Sequence, residues 1–188
     1  MTHDAPHGSP LPLTGMAITT PPTSDAAELY VEHREHRSTG PHAHHRPSWD
    51  EYFLRIAEVV SSRSQDPDTR HGCVLVDANH RIISTGYNGP IAGIQDETVP
   101  TTRPEKYLWF MHAEDNAILF ARASLDTATA YITGYPCAAC LRRLLQAGVS
   151  RIVCGVRSSA CITNEERAAC EEMARQVSAN IEIRPTRA

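Results

Sequence analysis

Nowhere in this chain do apolar residues run on for the roughly 18 positions that a membrane-crossing helix needs. Its first twenty residues, "MTHDAPHGSPLPLTGMAITT", also lack a cationic start followed by an apolar block. These absences exclude the simplest membrane and export readings and make the cytoplasm the expected location. A basic excess is missing too: 18 Lys and Arg stand against 22 Asp and Glu, a formal net charge of −4. Proteins that grip nucleic acid usually show a basic excess or stripe, so nucleic acid is not an expected partner, and recognition of a single phosphate group stays open. No internal repeat divides the chain, and 188 residues fit one domain better than two.

Two segments differ sharply in pattern. Residues 1–46 are rich in Pro, Thr, Ser and His, hold seven of the ten histidines, and show no sustained apolar period. A metal-binding tail is one reading of them; composition favours a disordered leader. The domain is expected over 47–188. It opens at "RPSWDEYFLRIAEVV", where Ser48 followed by Glu51 fits a capping box and Trp49, Tyr52, Phe53, Ile56, Ala57 and Val60 recur at helical spacing. "GCVLVD" and "RIISTGYN" read as a β-hairpin, and 89–108, broken by Pro and Gly, as a long irregular connection of the kind that often carries function.

Beyond residue 108 the pattern alternates: helix from His112, strand "TAYIT", helix from Cys137, strand "RIVCG", helix "NEERAACEEMARQV", strand "NIEIR". Strands separated by helices pair in parallel, and the early hairpin adds an antiparallel member. The expected architecture is α/β, a three-layer αβα sandwich around a five-stranded mixed sheet.

Six cysteines are present, at 73, 137, 140, 154, 161 and 170. Without an export signal they are expected to stay reduced, with metal binding for the close pair and burial for the rest. Cys137 and Cys140 fall in the first turn of a helix, which favours thiolates, and His112 opens another helix. One imidazole and two thiolates suit Zn2+, and three protein ligands leave a fourth tetrahedral position for water, the mark of a catalytic site. Glu114, two residues past the histidine, is placed to serve as a base. Alone, each motif is weak: C-x-x-C also reads as a redox pair or as half of a structural zinc site completed by Cys73, Cys154 or Cys161. Glu114 discriminates, because a closed structural site has no use for an acid beside it.

"HAE" at 112–114 and "PCAAC" at 136–140 together match the H-x-E…P-C-x-x-C signature of the zinc nucleobase deaminases. With "HAEDNAI" and "STGYNG" added, the stretch from about Ser48 to about Arg184 resembles the deoxycytidylate deaminases of the cytidine deaminase-like superfamily. The resemblance implies deamination of a cytosine nucleotide, most readily dCMP to dUMP, with His112, Cys137 and Cys140 as zinc ligands and Glu114 as the proton shuttle. It further implies that Asn88 contacts the sugar, that Ala113 and the backbone around Pro136 contact the base, and that the chain forms a homo-oligomer. Arg63 and Arg70 flank "SQDPDT", a loop close to the nucleotide in such relatives, and either is a candidate for the 5′-phosphate. Lys106 and Tyr107 are a wall of the site or a structural anchor. Asp115 puts an acid where several relatives carry a neutral residue, an unfavourable neighbour for an anionic substrate. The alternatives are another cytosine nucleotide, CMP or a modified cytosine, another amino-substituted base such as a tRNA adenosine, and, outside the enzymes, a noncatalytic binding protein with a structural zinc.

Overall fold

Ser48 and Glu51 start the folded domain by reciprocal capping: the Ser48 N–H donates to Glu51 Oε2 at 2.9 Å and the Glu51 N–H donates to Ser48 Oγ at 3.2 Å. This satisfies two of the donors that a helix start leaves orphaned. The computed structural model describes residues 46–157 and 162–185. The expected leader, apart from Arg46, and Cys161 lie outside the described residues. In chain order the elements are α1 (Trp49–Ser61), β1 (Gly72–Val76), β2 (Ile82–Tyr87), β3 (Gly89–Pro90), β4 (Phe110–Met111), α2 (Ala113–Phe120), β5 (Thr129–Gly134), α3 (Ala138–Gln146), β6 (Arg151–Arg157), α4 (Asn164–Gln176) and β7 (Asn180–Ile183).

The main sheet has the order β2-β1-β5-β6-β7. β1 pairs antiparallel with both β2 and β5, whereas β5, β6 and β7 run parallel. This is the expected mixed αβα sandwich. Its central strands β1, β5 and β6 are largely buried on both faces, and alternation along β1 assigns the faces: Val74 and Val76 pack with Phe53, Leu54 and Ala57 of α1, while Cys73 and Leu75 face Ala113 and Ala117 of α2 and Leu141 and Leu144 of α3. Cys170 of α4 joins the second cluster. Cys73 and Cys154, wholly buried, behave as small apolar residues. Among the described residues, no helix is long and apolar enough to cross a membrane.

Sequence pattern misses one device. Gly89–Pro90 and Phe110–Met111 form a separate two-stranded ladder that closes the connection between them, and two 3-10 turns, Asp96–Thr98 and Glu105–Leu108, lie within it. The irregular segment is thereby tied to the residue just before His112.

Candidate metal centre and its cavity

His112 and Cys137 occupy equivalent places. Each is the N-cap of its helix in extended backbone conformation, with ψ of 158° and 161°, and neither side chain makes a capping hydrogen bond. Both are therefore left to face one another across the starts of α2 and α3. Cys140, one turn into α3, completes the group: its Sγ lies 3.3 Å and that of Cys137 3.6 Å from His112 Nδ1. All three donor atoms fall within 4.8 Å of one another, and burial deepens from exposed His112 through Cys137 to buried Cys140. One imidazole and two sulfurs, open on one side, fit zinc with a position left for a further ligand.

Proton distribution follows from this packing. The hydrogen bond from Cys140, outweighing burial and helped by His112, brings the Cys137 thiol down to about 3. The same bond, with burial, pushes Cys140 far up, so the pair holds one proton between two sulfurs. His112 rises to about 9, chiefly through its contact with Cys137. A metal binding here displaces the protons of His112 and Cys140.

Glu114 follows one residue beyond the N1 position of α2, only 5% exposed, and burial holds its carboxyl above the usual carboxylate range. With His112, Cys137 and Ala113 it lines a cavity of about 320 Å3, within the size range of small-molecule sites. Asn88 lines it too, with its amide engaged at both ends: Oδ1 accepts from the His71 N–H at 2.7 Å and Nδ2 donates to the Thr69 carbonyl at 2.9 Å. Pro136 is fully buried directly before Cys137 and is outside the lining, as are Arg63 and Arg70. Arg63 is exposed; Arg70 Nε donates to the Asp66 carbonyl at 3.3 Å.

Asp115 does not face the cavity as a bare charge. It pairs with Arg143 of α3 at 3.0 Å and ties the two ligand-bearing helices together. Asn116 Nδ2 donates to the Tyr87 carbonyl at 2.8 Å, fixing α2 to the end of β2.

Lys106 is marked in the sequence as wall or anchor, whereas its partner Asp66, with His71 and Glu166, has no clear sequence signal. Lys106, 2% exposed, bonds both oxygens of Asp66 at 2.9 and 3.0 Å and reaches Asp68 at 3.3 Å. It is thus both wall and anchor. Asp66 also accepts from the Asp68 and Thr69 N–H groups. Burial raises its carboxyl, but Lys106 and these backbone donors outweigh it and hold the group below its ordinary value. His71, in the same wall, is driven down to about 4 by burial and by the charges of Arg157 and His112, which makes it neutral near pH 7.

Glu166 of α4 is the third. "TNEE" at 163–166 has the spacing of a second capping box, and Thr163 Oγ1 does accept from the Glu166 N–H at 3.1 Å. The Glu166 carboxylate instead accepts from the Ala138 N–H at 2.8 Å, the first helical residue after Cys137. It therefore fixes the backbone that carries one ligand. Glu166→Ala is expected to raise the zinc dissociation constant by about tenfold, as losses one bond behind a metal ligand typically do, and Glu166→Gln, which keeps an acceptor, to restore most of it. Competition with a chromophoric chelator measures both; an unchanged constant in Glu166→Ala would remove Glu166 from this role.

Comparison with known proteins agrees with the site. The profile described as "cytidine and deoxycytidylate deaminase zinc-binding region" matches residues 47–156. An uncharacterized deaminase of Aliivibrio fischeri, from the luxG 3′ region, is 41% identical over 106 residues, covering 56% of this chain and 71% of its own. A probable deoxycytidylate deaminase of Caenorhabditis elegans is 44% identical over 105 residues, 53% of each chain. Human deoxycytidylate deaminase is 31% identical over 112 residues, 56% of this chain and 63% of the relative, so the match spans little more than half of these two proteins. In fold, the apo dCMP deaminase of cyanophage S-TIM5 superposes with a TM-score of 0.59 at 24% identity, over 74% of this chain and 99% of the phage protein.

Proposed function

The chain belongs to the cytidine and deoxycytidylate deaminase family, matched through its zinc-binding region over residues 47–156, and from that premise we propose that it converts dCMP and water to dUMP and ammonia. The observation that carries this is the placement of Glu114, buried in the cavity that His112 and Cys137 also line. When bound, zinc supplies the Lewis acidity that makes water a nucleophile near neutral pH. Glu114 takes a proton from the attacking water, delivers it to N3 of the cytosine ring as oxygen adds at C4, and then moves the proton of the added hydroxyl to the amino group, which departs as ammonia while the C4 carbonyl forms. Burial suits the carboxyl to this exchange by bringing its affinity for protons closer to the operating pH.

Ala113 and the backbone around Pro136 are assigned to the base and Asn88 to the sugar. Fully buried Ala113, next to Glu114 in the lining, supports the first. Among the described residues the metal cluster has three donors, and buried Cys73 and Cys154 are not in it, which supports a catalytic over a closed structural site. Self-association and a cytoplasmic location complete the reading; exposed Leu108, Leu119 and Phe120 support the former.

A panel of cytosine nucleosides and their mono-, di- and triphosphates, scored for ammonia and uracil product, tests it. Deoxycytidine monophosphate is expected to be turned over best. Absence of uracil product from every member, with zinc bound, would sink the proposal.

A further inference from the structure

The sequence points to Arg63 and Arg70 for the phosphate, yet neither lines the cavity. Two permanent cations do, Arg103 and Lys106. Lys106 is neutralised by Asp66 and Asp68, and this pairing also quenches the Asp66 carboxylate, which would otherwise repel an anion. Arg103 makes no ion pair among the described residues. Its guanidinium is oriented by two contacts: Nη2 donates to Thr69 Oγ1 at 3.2 Å, and Cζ lies 5.9 Å from the centre of the Tyr107 ring. Nearby Arg157, in contrast, is taken up by Glu58 and the Arg70 carbonyl.

We propose that Arg103, with the Thr69 hydroxyl, forms the 5′-phosphate clamp and selects nucleoside monophosphates over nucleosides. The inference rests on the deaminase reading and deepens it. A guanidinium carries five N–H donors in a fixed fork, so one bond to Thr69 leaves enough for a two-point grip on phosphate. Thr69 Oγ1 accepts from Arg103 and keeps its own proton to donate. Exposure orders the cavity in the same sense: Glu114 is buried at one part of the lining, Arg103 exposed and Thr69 half-buried at another. A pyrimidine nucleotide fits with its base inward and its phosphate toward solvent. The phosphate specificity of this chain thus comes from the irregular segment tied down by the β3–β4 ladder and Lys106.

The test compares Arg103→Gln with the wild-type zinc-loaded enzyme in two assays: kcat/KM for deoxycytidine monophosphate and for deoxycytidine, and equilibrium binding of deoxyuridine monophosphate and of deoxyuridine. Arg103→Gln is expected to lower kcat/KM for the monophosphate by about 10- to 100-fold, as lost charged hydrogen bonds do. The loss should fall mainly in KM, leave the nucleoside value where it was, and be matched in binding of deoxyuridine monophosphate. Arg103→Lys, which keeps the charge without the fork, should recover part of it. An unchanged monophosphate preference in Arg103→Gln, an equal loss for both substrates, or transfer of the effect to Arg63→Gln or Arg70→Gln overturns the proposal. If the wild type deaminates nothing but binds the monophosphate in an Arg103-dependent way, the deaminase reading fails and the phosphate clamp stands.

Discussion

Glu114→Gln is expected to lower turnover by about 10⁴-fold, the upper end for one positioned acid–base group, while zinc content and melting temperature stay at wild-type levels. The reasons separate cleanly. Glu114 is outside the His112–Cys137–Cys140 donor group, so its loss removes no ligand. Glutamine matches its size, and the N-terminal turn of α2 accepts either side chain. What disappears is the group that accepts a proton beside the metal cluster and returns it. That group serves twice, first moving a proton from water to N3 and then one to the leaving amine, so a single substitution stops both transfers. Ammonia release and zinc stoichiometry are to be measured on the same preparation. Near-normal turnover would rule out the shuttle role, and lost zinc would make Glu114 part of the metal site.

How much of this could be read from sequence depends on how local the signal is. The Ser48–Glu51 box, the helical spacing of Phe53 and Ala57, and the β1–β2 hairpin are all encoded within a few residues, and all are present in the fold. The metal cluster was legible for the same reason. His112 and Cys137 sit directly before their helices, and a pattern that marks the helix starts also marks the residues left free to meet there. The contributions that escaped notice depend on contacts between distant residues. A two-residue ladder such as Gly89–Pro90 with Phe110–Met111 has no periodicity to detect. Lys106 could be marked as wall or anchor but its burial could not, because lysine is almost always exposed and is buried here only beside Asp66, 40 positions earlier. Glu166 has the spacing of a helix cap, but its carboxylate serves the start of another helix. Among the arginines, the route of the irregular segment decides which one reaches the cavity, and composition cannot show that route.

Gly86→Ala is expected to destabilise the fold by about 3 kcal/mol, the upper end for overpacking, and to weaken zinc binding as well. Gly86 stands on β2 within the "STGYNG" segment, directly under the first turns of α2. A methyl group there would meet the Ala113 carbonyl oxygen at 2.2 Å and the Ala117 nitrogen at 2.3 Å. Both are backbone atoms, so no side chain can swing away to make room and the helix itself must lift. Ser84, on the same face of β2, donates to the Ala117 carbonyl, and Asn116 holds the Tyr87 carbonyl; both bonds stretch if α2 moves. His112 and Glu114 flank Ala113, so the displacement carries a ligand and the base away from Cys137 together. Gly72→Ala is the matched control. Its added carbon would meet the Ala57 carbonyl oxygen at 2.1 Å under α1, on the opposite face of the sheet from α2 and α3. Both variants should melt roughly 10 °C lower, yet only Gly86→Ala should also lose about tenfold in zinc affinity. Thermal unfolding paired with chelator competition separates the two effects. Equal zinc affinity in the two variants would show that α2 does not hold the ligand through its contact with β2, and a wild-type melting temperature in Gly86→Ala would show that the helix has room the packing denies.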